Sequence, residues 1–321
     1  MGARKVLVTG AAGFVGRRVV ELLAATENAF GEILPADIRD VPQAERLPNI
    51  SYRVLDVRDR AAVDALIAEG VDAVVHLAAI VSPGGPAARA MEFDVDVRGT
   101  ENMLNACIAH GVRQIIVTSS GAAYGYHADN PIPLSETDAL RGNPEFAYSD
   151  HKRLVEEMLA RERIEHPELK QLIFRPGTIL GARVANQITA IFDRPFVLGV
   201  SGSDTPFVLI WDEDVARCIV KGLVEEREGI YNLTSDDALP LRDIARMLGK
   251  PFVPLPAWFI MGALWLLQSL KISQAGPAQV NFIRYRPVLS NARLRAEFGY
   301  NPGTTSRDVF ARWLKARRPR G

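Results

Sequence analysis

Short apolar runs alternate with helical patterns along the first two thirds of the chain. The strand-like runs, rich in Val, Ile and Leu, are KVLVTG, GEILPADI, SYRVLDV, DAVVHLAA, QIIVTSS and QLIFRPG. Between most of them, apolar residues recur at helical spacing, as in GFVGRRVVELLAAT. This order predicts an α/β fold in which a doubly wound parallel sheet is covered by helices on both faces. Pro35 lies inside the second run, so a bulge or an irregular strand end is expected there.

The alternation weakens after the last of these runs, where aromatic residues and prolines accumulate. The later segment FVLIWDEDVARCIVKGLVEE is predicted to return one strand and one helix to the main sheet. The chain is therefore predicted to form a main domain from residues 1–176 and 206–232. A smaller C-terminal lobe is assigned to residues 177–205 and 233–321.

An uncharged segment of twenty residues, Pro251–Leu270, lies within this lobe. Pro251, Pro254 and Pro256 restrict a helix to about Ala257 onward, which leaves an apolar stretch of about 14 residues. A membrane-spanning helix needs roughly 20 residues, so no transmembrane span is predicted. Packing in the core is the preferred interpretation, and contact with a membrane surface is the alternative.

Composition indicates a folded protein with no charge-driven partner. Hydrophobic residues make up 48% of the 321 positions, and 38 basic residues balance 38 acidic ones. This balance points to neither nucleic acid nor an anionic membrane, so the expected partner, a small-molecule substrate, follows from the site residues rather than from charge. Cys107 and Cys218 lie in helical patterns without other metal-type ligands, so no metal is expected. These cysteines and the short polar stretch before KVLVTG predict a cytoplasmic protein.

A glycine-rich turn, VTGAAGFVG, joins the first strand to the first helix. Glycine keeps such a turn tight, so a pyrophosphate can approach the backbone amides at the positive end of the helix. The turn therefore predicts a Rossmann-type dinucleotide site, although glycines can also serve only to turn the chain. The expected cofactor contacts here are Gly10, Ala12, Gly13, Phe14, Val15 and Gly16.

An acidic residue, Asp37, ends the second strand about 20 residues beyond this turn. Its carboxylate can accept both ribose hydroxyls of an adenosine and would repel a 2′-phosphate, which favours NAD over NADP. Arg39 can partly offset that preference. Asp56 ends the third strand, where it reaches the adenine edge or caps the following helix. The contacts expected along this side are Asp37, Ile38, Arg39, Asp56 and Val57.

Tyr148 and Lys152 are four residues apart in a helical pattern, so their side chains lie on one face. A nearby ammonium stabilises a phenolate, and such a pair can hold and release a proton near neutral pH. Spacing alone is weak evidence, because exposed helices often carry this combination. Ser149, Asp150 and His151 between them are expected to face solvent.

Taken together, the motifs resemble those of the extended short-chain dehydrogenases/reductases, the group of NAD-dependent sugar epimerases, dehydratases and related ketoreductases. The matching segments are TGAAGFVG, LDV, HLAA, VRGTENML, VTSSGAAYG, YSDHK, FRPGTILG and WDEDVA. They run in the family's order over about two thirds of the chain. The resemblance implies that the main domain binds NAD as the cofactor and that the C-terminal lobe binds the substrate. It also implies a homodimer whose contact includes the helix of Tyr148.

The resemblance also implies the roles of three catalytic residues. Tyr148 would be the general acid/base on the substrate oxygen, and Lys152 would bind the nicotinamide ribose and depress the pKa of Tyr148. Ser120 would hold the same oxygen, while Ser119 points to the opposite face of its strand. A hydride would then move between the substrate carbon and C4 of the nicotinamide.

Further contacts are implied around the nicotinamide. In HLAA, which passes under the cofactor, His76 is treated as structural, and Asp96 replaces an asparagine common in relatives. Arg284 and Arg286 are candidates for a substrate phosphate or are ordinary surface charges. The implied cofactor contacts are Leu77, Ala78, Ala79, Asp96, Thr118, Tyr148, Lys152, Pro176, Gly177 and Thr178. The implied substrate contacts are Ser82, Ser120, Tyr124, His127 and Arg284.

These residues predict hydride transfer at a secondary alcohol or ketone carbon. A sugar dehydratase is disfavoured, because Gly121, Ala122 and Ala123 stand where elimination needs an acid and a base. An NAD-dependent dehydrogenase or ketoreductase is slightly preferred, and a nucleotide-sugar 4-epimerase that retains its NAD is the alternative. A non-catalytic NAD-binding protein is a distant third, since relatives of that kind usually lose the tyrosine or the lysine.

Overall fold

The helices and strands alternate along the first two thirds of the chain. The structure is a computed structural model that describes residues 4–26, 30–48, 50–81, 88–182, 184, 187–270, 276–277 and 279–317. Its strands are β1 (Arg4–Thr9), β2 (Phe30–Asp37), β3 (Arg53–Val54), β4 (Ala73–His76), β5 (Gln114–Thr118), β6 (Lys170–Pro176), β7 (Thr178–Leu180), β8 (Val197–Val200), β9 (Pro206–Phe207), β10 (Leu209–Trp211), β11 (Gly229–Leu233), β12 (Leu239–Pro240) and β13 (Phe252–Leu255).

The α-helices lie between these strands and at the C-terminal end. They are α1 (Phe14–Ala25), α2 (Arg60–Ile67), α3 (Arg89–Phe93), α4 (Gly99–Ala109), α5 (Ala147–Glu165), α6 (Gln187–Asp193), α7 (Asp212–Val224), α8 (Leu241–Leu248), α9 (Ala257–Ser269), α10 (Gln279–Arg284) and α11 (Ser306–Arg317). A π-helical turn, Asp94–Arg98, joins α3 to α4, and a second one spans Leu294–Phe298. Gln43–Glu45 and Gly121–Tyr124 form 3₁₀ turns.

Seven parallel strands form the central sheet, in the order β11-β6-β5-β4-β1-β2-β3. This order confirms the predicted α/β, Rossmann-type fold. The chain runs outward from β1 to β3, returns to β4 beside β1, and then runs outward on the other side. Because the order reverses between β1 and β4, the carboxyl ends of these strands border the crevice where such sheets bind ligands.

Helices cover both faces of this sheet, because successive strand residues point to opposite sides. In β1, Val6 and Val8 face a core formed with α1 and α7, while Leu7 faces a core formed with α2, α4 and α5. Cys218 is buried in the first core and Cys107 in the second. Burial on both faces explains why the strands are continuous runs of Val, Ile and Leu.

The irregularity expected at Pro35 is absent, so that prediction is wrong. Pro35 pairs with Val8 in a continuous register, and the register shift between β1 and β2 lies at the start of the two strands. On the other side of β2, β3 pairs only with Ala36 and Asp37. Pro35 has no partner in β3, so no hydrogen bond between β2 and β3 requires the N–H that proline lacks.

The strand predicted from FVLIWDEDVA does not return to the main sheet. It is β10, which pairs in parallel with β7 in a separate two-stranded sheet. The helix after it, α7, does return and packs against α1. The strand that completes the main sheet is β11, beside β6. Its sequence, GIYNL, gives a weak strand signal because it is short and contains glycine and asparagine.

A third core, which contains five aromatic residues, lies among the C-terminal elements. Phe192, Phe207 and Trp313 are buried in it, with the ring of Phe192 in contact with the other two. Phe298, which belongs to the range predicted for the lobe, packs instead against Phe174 in a core of the main sheet. The domain boundaries stay a prediction.

The uncharged segment forms α9, which begins at Ala257 as predicted. The preferred interpretation of this segment, packing in the core, is wrong. The structure describes the whole of α9, and Ile260 is its only buried residue. Within the described ranges, no helix is both long enough and apolar enough to cross a membrane.

Candidate active site

The glycine-rich turn passes directly against the segment that follows β4. Gly10 has a φ of +68°, and a Cβ at this position would lie 2.7 Å from the carbonyl carbon of Leu77. A Cβ at Gly16 would overlap the carbonyl oxygen of Gly10. Both positions therefore require glycine. The close approach of Gly10 to Leu77 places the turn after β1 against the segment after β4, at the crevice.

The N-terminus of α1 fits the diphosphate of a dinucleotide. The helix begins at Phe14 after Gly13, and no side chain of the described residues caps it. Its first turn contains no acidic residue. The N–H groups at this positive helix end are therefore available to an anion. Ala12 and Val15 are buried beside them.

Asp37, at the end of β2, is hydrogen-bonded to the glycine-rich turn. Its Oδ2 accepts a hydrogen bond from Ala12 N at 3.0 Å, and its Oδ1 accepts from Arg39 N at 3.0 Å and Arg39 Nε at 3.2 Å. These bonds hold a mostly buried carboxylate where the adenosine ribose of a dinucleotide would lie. The side chains of Arg39 and Ile38 remain exposed.

Asp56 forms an ion pair rather than a helix cap. The side chain of Arg58 donates to both carboxylate oxygens, and this hydrogen bonding holds the pKa of Asp56 below its usual value. Asp59 caps α2 instead, because its Oδ1 accepts from Ala62 N at 3.1 Å. The capping alternative for Asp56 is therefore wrong, and its place at the adenine edge, next to the buried Val57, stays a prediction.

Tyr148 lies in the first turn of α5, opposite the end of β5. Its hydroxyl lies near enough to the side chain of Ser120 for that side chain to lower its pKa, and the Oγ of Ser120 accepts a hydrogen bond from Ala122 N at 3.1 Å. Lys152 follows one turn later, and its Nζ lies 5.7 Å from the centre of the Tyr148 ring. The structure thus brings together the three residues that the sequence nominates for catalysis.

Burial dominates the electrostatics of this cluster. It raises the pKa of Tyr148 to about 12, against the lowering effect of the nearby Ser120 side chain, and the Asp96 carboxylate adds to the rise. Burial also lowers the pKa of Lys152, while nearby carboxylates, Asp96 foremost, raise it. Lys152 is not among the groups that shift the pKa of Tyr148, and its ammonium donates to Thr118 O at 3.2 Å. A lowered phenol pKa needs a further positive charge beside the ring.

The residues between Tyr148 and Lys152 are not all solvent-facing, contrary to the prediction. Ser149 and His151 are each 1% exposed, because α3 and the 3₁₀ turn after β5 pack against this side of α5. The Nδ1 of His151 lies 3.7 Å from Oδ2 of Asp96, which is equally buried. A histidine and a carboxylate are therefore enclosed together behind the Tyr148 and Lys152 pair.

The other predicted cofactor contacts lie at neighbouring strand ends. Asp96 holds the segment after β4, because its Oδ1 accepts from Ile80 N at 2.8 Å. Since β4, β5 and β6 are adjacent in the sheet, their ends form one continuous edge. The buried and half-buried residues along it are Leu77, Ala78, Ala79, Thr118, Pro176, Gly177 and Thr178. Ser82 lies outside the described residues.

Arg286, rather than the predicted Arg284, reaches this edge. Its Nη2 donates to Thr178 Oγ1 at 3.1 Å, and its guanidinium lies 5.1 Å from the centre of the Phe282 ring. Burial lowers the pKa of Arg286, and no described carboxylate forms an ion pair with it. Arg284 instead stacks 4.9 Å from the ring of Tyr285. Both arginines are visible in the sequence, but only the folded chain shows which one turns inward.

Three aromatic rings stand beside the substrate side of the Tyr148 cluster. The ring centre of Tyr126 lies 4.8 Å from that of Phe282 and 5.8 Å from that of Phe146. Phe146 immediately precedes α5, two residues before Tyr148. Sequence reasoning missed Phe146 and Phe282, because their approach to Tyr126 depends on the tertiary fold.

Tyr124 and His127, two predicted substrate contacts, have their polar atoms bonded within the protein. Tyr124 is fully buried, and its hydroxyl donates to Ser135 O at 2.9 Å and accepts from Arg175 Nη1 at 2.9 Å. The Nε2 of His127 lies 2.8 Å from Gly142 O. These contacts fit structural roles for both side chains.

His76 is enclosed at the end of β4. Its Nδ1 lies 2.8 Å from Thr9 Oγ1, and its Nε2 lies 3.1 Å from Thr100 Oγ1. Burial lowers the pKa of His76 to about 4, and the charge of Lys152 acts in the same direction. A neutral imidazole with both nitrogens bonded supports the structural role predicted for it.

His76→Gln is expected to reduce the loss of stability in mild acid. An unfolded histidine takes up a proton near pH 6.5, whereas folded His76 does so only near pH 4. The free energy of unfolding should therefore fall as the pH drops from 6.5 towards 4, by about 2 kcal/mol between pH 7 and pH 4.5 from this residue. Urea unfolding at the two pH values measures the difference. His110→Gln, at an exposed histidine, should keep the wild-type pH dependence, and an unchanged dependence in His76→Gln would contradict the assignment.

The fold and the site define the class of this protein. A Rossmann-type sheet, a glycine-rich turn, an acidic residue at the end of β2 and a Tyr-Lys helix place it among the extended short-chain dehydrogenases/reductases. The model of the NAD dependent epimerase/dehydratase family matches residues 6–233, and the chain belongs to that family. It is an NAD-dependent enzyme, and NAD is its cofactor.

Similar proteins act on different alcohols. The N-acetyl-alpha-D-glucosaminyl-diphospho-ditrans,octacis-undecaprenol 4-epimerase of Escherichia coli O157:H7 is 35% identical over 208 residues, which cover 62% of this chain and 57% of that enzyme. The 3 beta-hydroxysteroid dehydrogenase/Delta 5-->4-isomerase of Monkeypox virus is 30% identical over 192 residues, or 58% of this chain and 54% of that one. The crystal structure of UDP-glucose 4-epimerase from Thermus thermophilus with NAD superposes with a TM-score of 0.74 at 24% identity, covering 99% of this chain and 100% of that one. This last likeness is one of fold.

Proposed function

We propose that the chain transfers a hydride between NAD and a carbon that bears a secondary alcohol or a ketone, assisted by Tyr148, Lys152 and Ser120. The observation that carries the proposal is the proximity of the Tyr148 hydroxyl to the Ser120 side chain, with Lys152 one helical turn away and its Nζ 5.7 Å from the centre of the Tyr148 ring. Two hydroxyls that meet at the edge of the nucleotide crevice suit a substrate oxygen that gains and loses a proton.

Each of these side chains acts on a stated atom. The hydroxyl of Tyr148 takes the proton of the substrate alcohol or returns it to the ketone oxygen. Ser120 holds that oxygen through its Oγ, and the ammonium of Lys152 binds the nicotinamide ribose. NAD supplies the hydride acceptor, and its oxidised ring adds the positive charge that favours the phenolate. Asp37 and the turn at Gly10–Gly16 bind the adenosine and the diphosphate.

Arg286 supports a diphosphate-linked sugar as the substrate and 4-epimerisation as the reaction. The guanidinium is bonded to a neutral hydroxyl, that of Thr178, so its charge is available to an oxyanion. The E. coli relative is an enzyme of a diphospho-linked sugar. In this reaction the hydride leaves C4, returns to the opposite face of the keto sugar, and NAD is retained.

The aromatic rings support net oxidation of an apolar alcohol as the second candidate. Tyr126, Phe146 and Phe282 give the substrate side an apolar wall that a flat hydrophobic molecule could contact. The viral relative is a hydroxysteroid dehydrogenase and isomerase. Net oxidation would release NADH after each turnover.

The fate of NAD separates the two candidates. Purified protein is denatured, its released nucleotide is quantified, and the protein is then assayed with diphospho-sugars and with hydrophobic alcohols in added NAD. An epimerase should carry NAD and convert a sugar without change in the NADH absorbance. A dehydrogenase should carry little NAD and produce NADH in step with product. Absence of both reactions across the two panels would contradict the proposed function.

Asp37→Ala is expected to weaken the binding of NAD by about tenfold or more and to weaken the binding of NADP much less. The variant removes the carboxylate that would accept the ribose hydroxyls, and it also removes the repulsion of a 2′-phosphate. Calorimetry with both nucleotides measures the ratio of the dissociation constants. Asp40→Ala, at an exposed aspartate paired with Arg46, should leave that ratio unchanged. An unchanged ratio in Asp37→Ala would remove this residue from the cofactor site.

A further inference from the structure

α9 presents apolar side chains to solvent over most of its circumference. Trp258 is 72% exposed, and Trp265, seven residues further along the same face, is 62% exposed. The other large apolar residues exposed on this helix or just after it are Phe259, Met261, Leu266, Leu267 and Leu270. A surface helix of a water-soluble protein normally turns polar residues outward, so this helix needs an apolar partner.

The helix is nonetheless well packed on its inner face. Ile260 is buried with Val200 of β8 and Val280 of α10, and Ala257 and Leu264 pack beside it. The three inward positions of α9 follow the helical repeat. The exposed apolar surface therefore belongs to a helix whose inner face is packed against the rest of the protein.

The length and composition of α9 suit the surface of a lipid bilayer. Its 13 residues extend about 20 Å, which is too short to cross a hydrocarbon layer of about 30 Å. No charged residue occurs from Pro251 to Leu270. Exposed tryptophans favour the boundary between headgroups and lipid chains, because the ring is apolar and its N–H is polar.

The flanking segments carry charge that complements anionic headgroups. Residues 241–256 and 276–285 contain four basic residues and one acidic residue, a net charge of +3, whereas the whole chain has a net charge of +0. α10 packs against α9, and α8 packs against β13, the strand that precedes α9 in the chain. A symmetric contact with a second copy would bring the same positive segments together, which disfavours that occupant.

α10 connects α9 to the substrate side of the active site. Val280 packs against Ile260 of α9, while Phe282 lies 4.8 Å from Tyr126 and 5.1 Å from the guanidinium of Arg286. An apolar surface and a half-buried cation are thus joined by one short helix. A molecule with an apolar tail and a diphosphate has one part that suits the apolar surface of α9 and one that suits the guanidinium of Arg286.

We propose that α9 docks the protein on an anionic lipid bilayer, and that the active site acts on an amphiphilic alcohol whose apolar part stays in that bilayer. The docking is independent of catalysis, whereas the substrate class rests on the proposed function. A sugar joined through a diphosphate to a polyprenol has this chemistry. Its diphosphate would bind Arg286, and its lipid chain would remain under α9.

Flotation with vesicles tests the docking. The full chain is mixed with vesicles of equal parts phosphatidylcholine and phosphatidylglycerol, or of phosphatidylcholine alone. Wild type should float with the anionic vesicles and less with the neutral ones. The double variant Trp258→Ser/Trp265→Ser should partition at least about tenfold less. A control, Ile132→Ser/Ile164→Ser, removes two comparably exposed apolar side chains elsewhere and should float like wild type.

Three results would overturn the docking. Wild type could fail to float with either vesicle, or the double tryptophan variant, with unchanged circular dichroism, could float as well as wild type. A dimer that wild type forms in the ultracentrifuge and the double variant loses, without flotation, would assign α9 to a second copy. Tyr148→Phe should float like wild type, so a failure of the catalytic proposal does not affect this result.

One sugar on two carriers tests the substrate class. The sugar is presented as a polyprenyl diphosphate in the vesicles and as a uridine diphosphate in solution. The double tryptophan variant should raise the apparent KM for the vesicle-borne sugar at least about tenfold and leave that for the soluble sugar unchanged. Equal effects on both, or turnover of the soluble sugar alone by wild type, would overturn the substrate class while leaving hydride transfer in place.

Discussion

Tyr148→Phe is expected to lower kcat at least about 100-fold and to leave the affinity for NAD nearly unchanged. The variant keeps the aromatic ring and removes the hydroxyl that would carry the substrate proton. That hydroxyl is not among the groups that bond Asp37 to the glycine-rich turn, so the proposed NAD contacts there remain. Steady-state kinetics with the substrate found in the panels measure kcat, and calorimetry measures the NAD dissociation constant.

Tyr231→Phe is the matched control for the loss of a tyrosine hydroxyl. Tyr231 lies on β11, at the edge of the sheet, and its hydroxyl donates to Glu228 O at 3.3 Å. This variant should keep wild-type kcat. Wild-type turnover in Tyr148→Phe would exclude the residue as the proton carrier. A parallel loss of NAD affinity would instead assign it a structural role.

The parts of the site that sequence predicts well are those governed by local geometry. Gly10 needs a positive φ and Gly16 needs the absence of a side chain, and both needs arise within one turn. The shared face of Tyr148 and Lys152 follows from the helical repeat alone. The parallel sheet is predicted for a similar reason, because strands buried on both faces have a distinctive apolar run.

The features that sequence predicts poorly depend on what packs against an element. Ser149 and His151 have the polarity of solvent-facing residues, yet α3 and a 3₁₀ turn cover them. The choice between Arg284 and Arg286 depends on how the chain leaves α10. α9 shows the opposite case, since its apolar composition favours burial and the fold leaves it exposed. Each outcome is decided by tertiary contacts that the local pattern does not contain.

Glu156→Gln is expected to lower the free energy of unfolding by about 3–5 kcal/mol. Glu156 on α5 binds Arg175 on β6 through two hydrogen bonds, from Nε at 2.7 Å and from Nη2 at 2.8 Å, and both side chains are almost fully buried. Although burial acts to lower the pKa of Arg175, the Glu156 carboxylate raises it, so the guanidinium stays charged. Removing the carboxylate charge leaves that cation buried without its counter-ion. Urea unfolding followed by circular dichroism measures the change.

The neighbouring residue offers a control on the same helix. Glu157 pairs with Arg153 at 2.5 Å, but its side chain is 55% exposed, so Glu157→Gln should cost less than about 1 kcal/mol. Equal losses in the two variants would contradict the distinction between a buried and an exposed pair. The double variant Glu156→Met/Arg175→Met should recover part of the loss, because it leaves no buried charge without a partner. Since α5 also carries Tyr148 and Lys152, this ion pair helps to hold the helix of the proposed catalytic residues on β6 of the sheet.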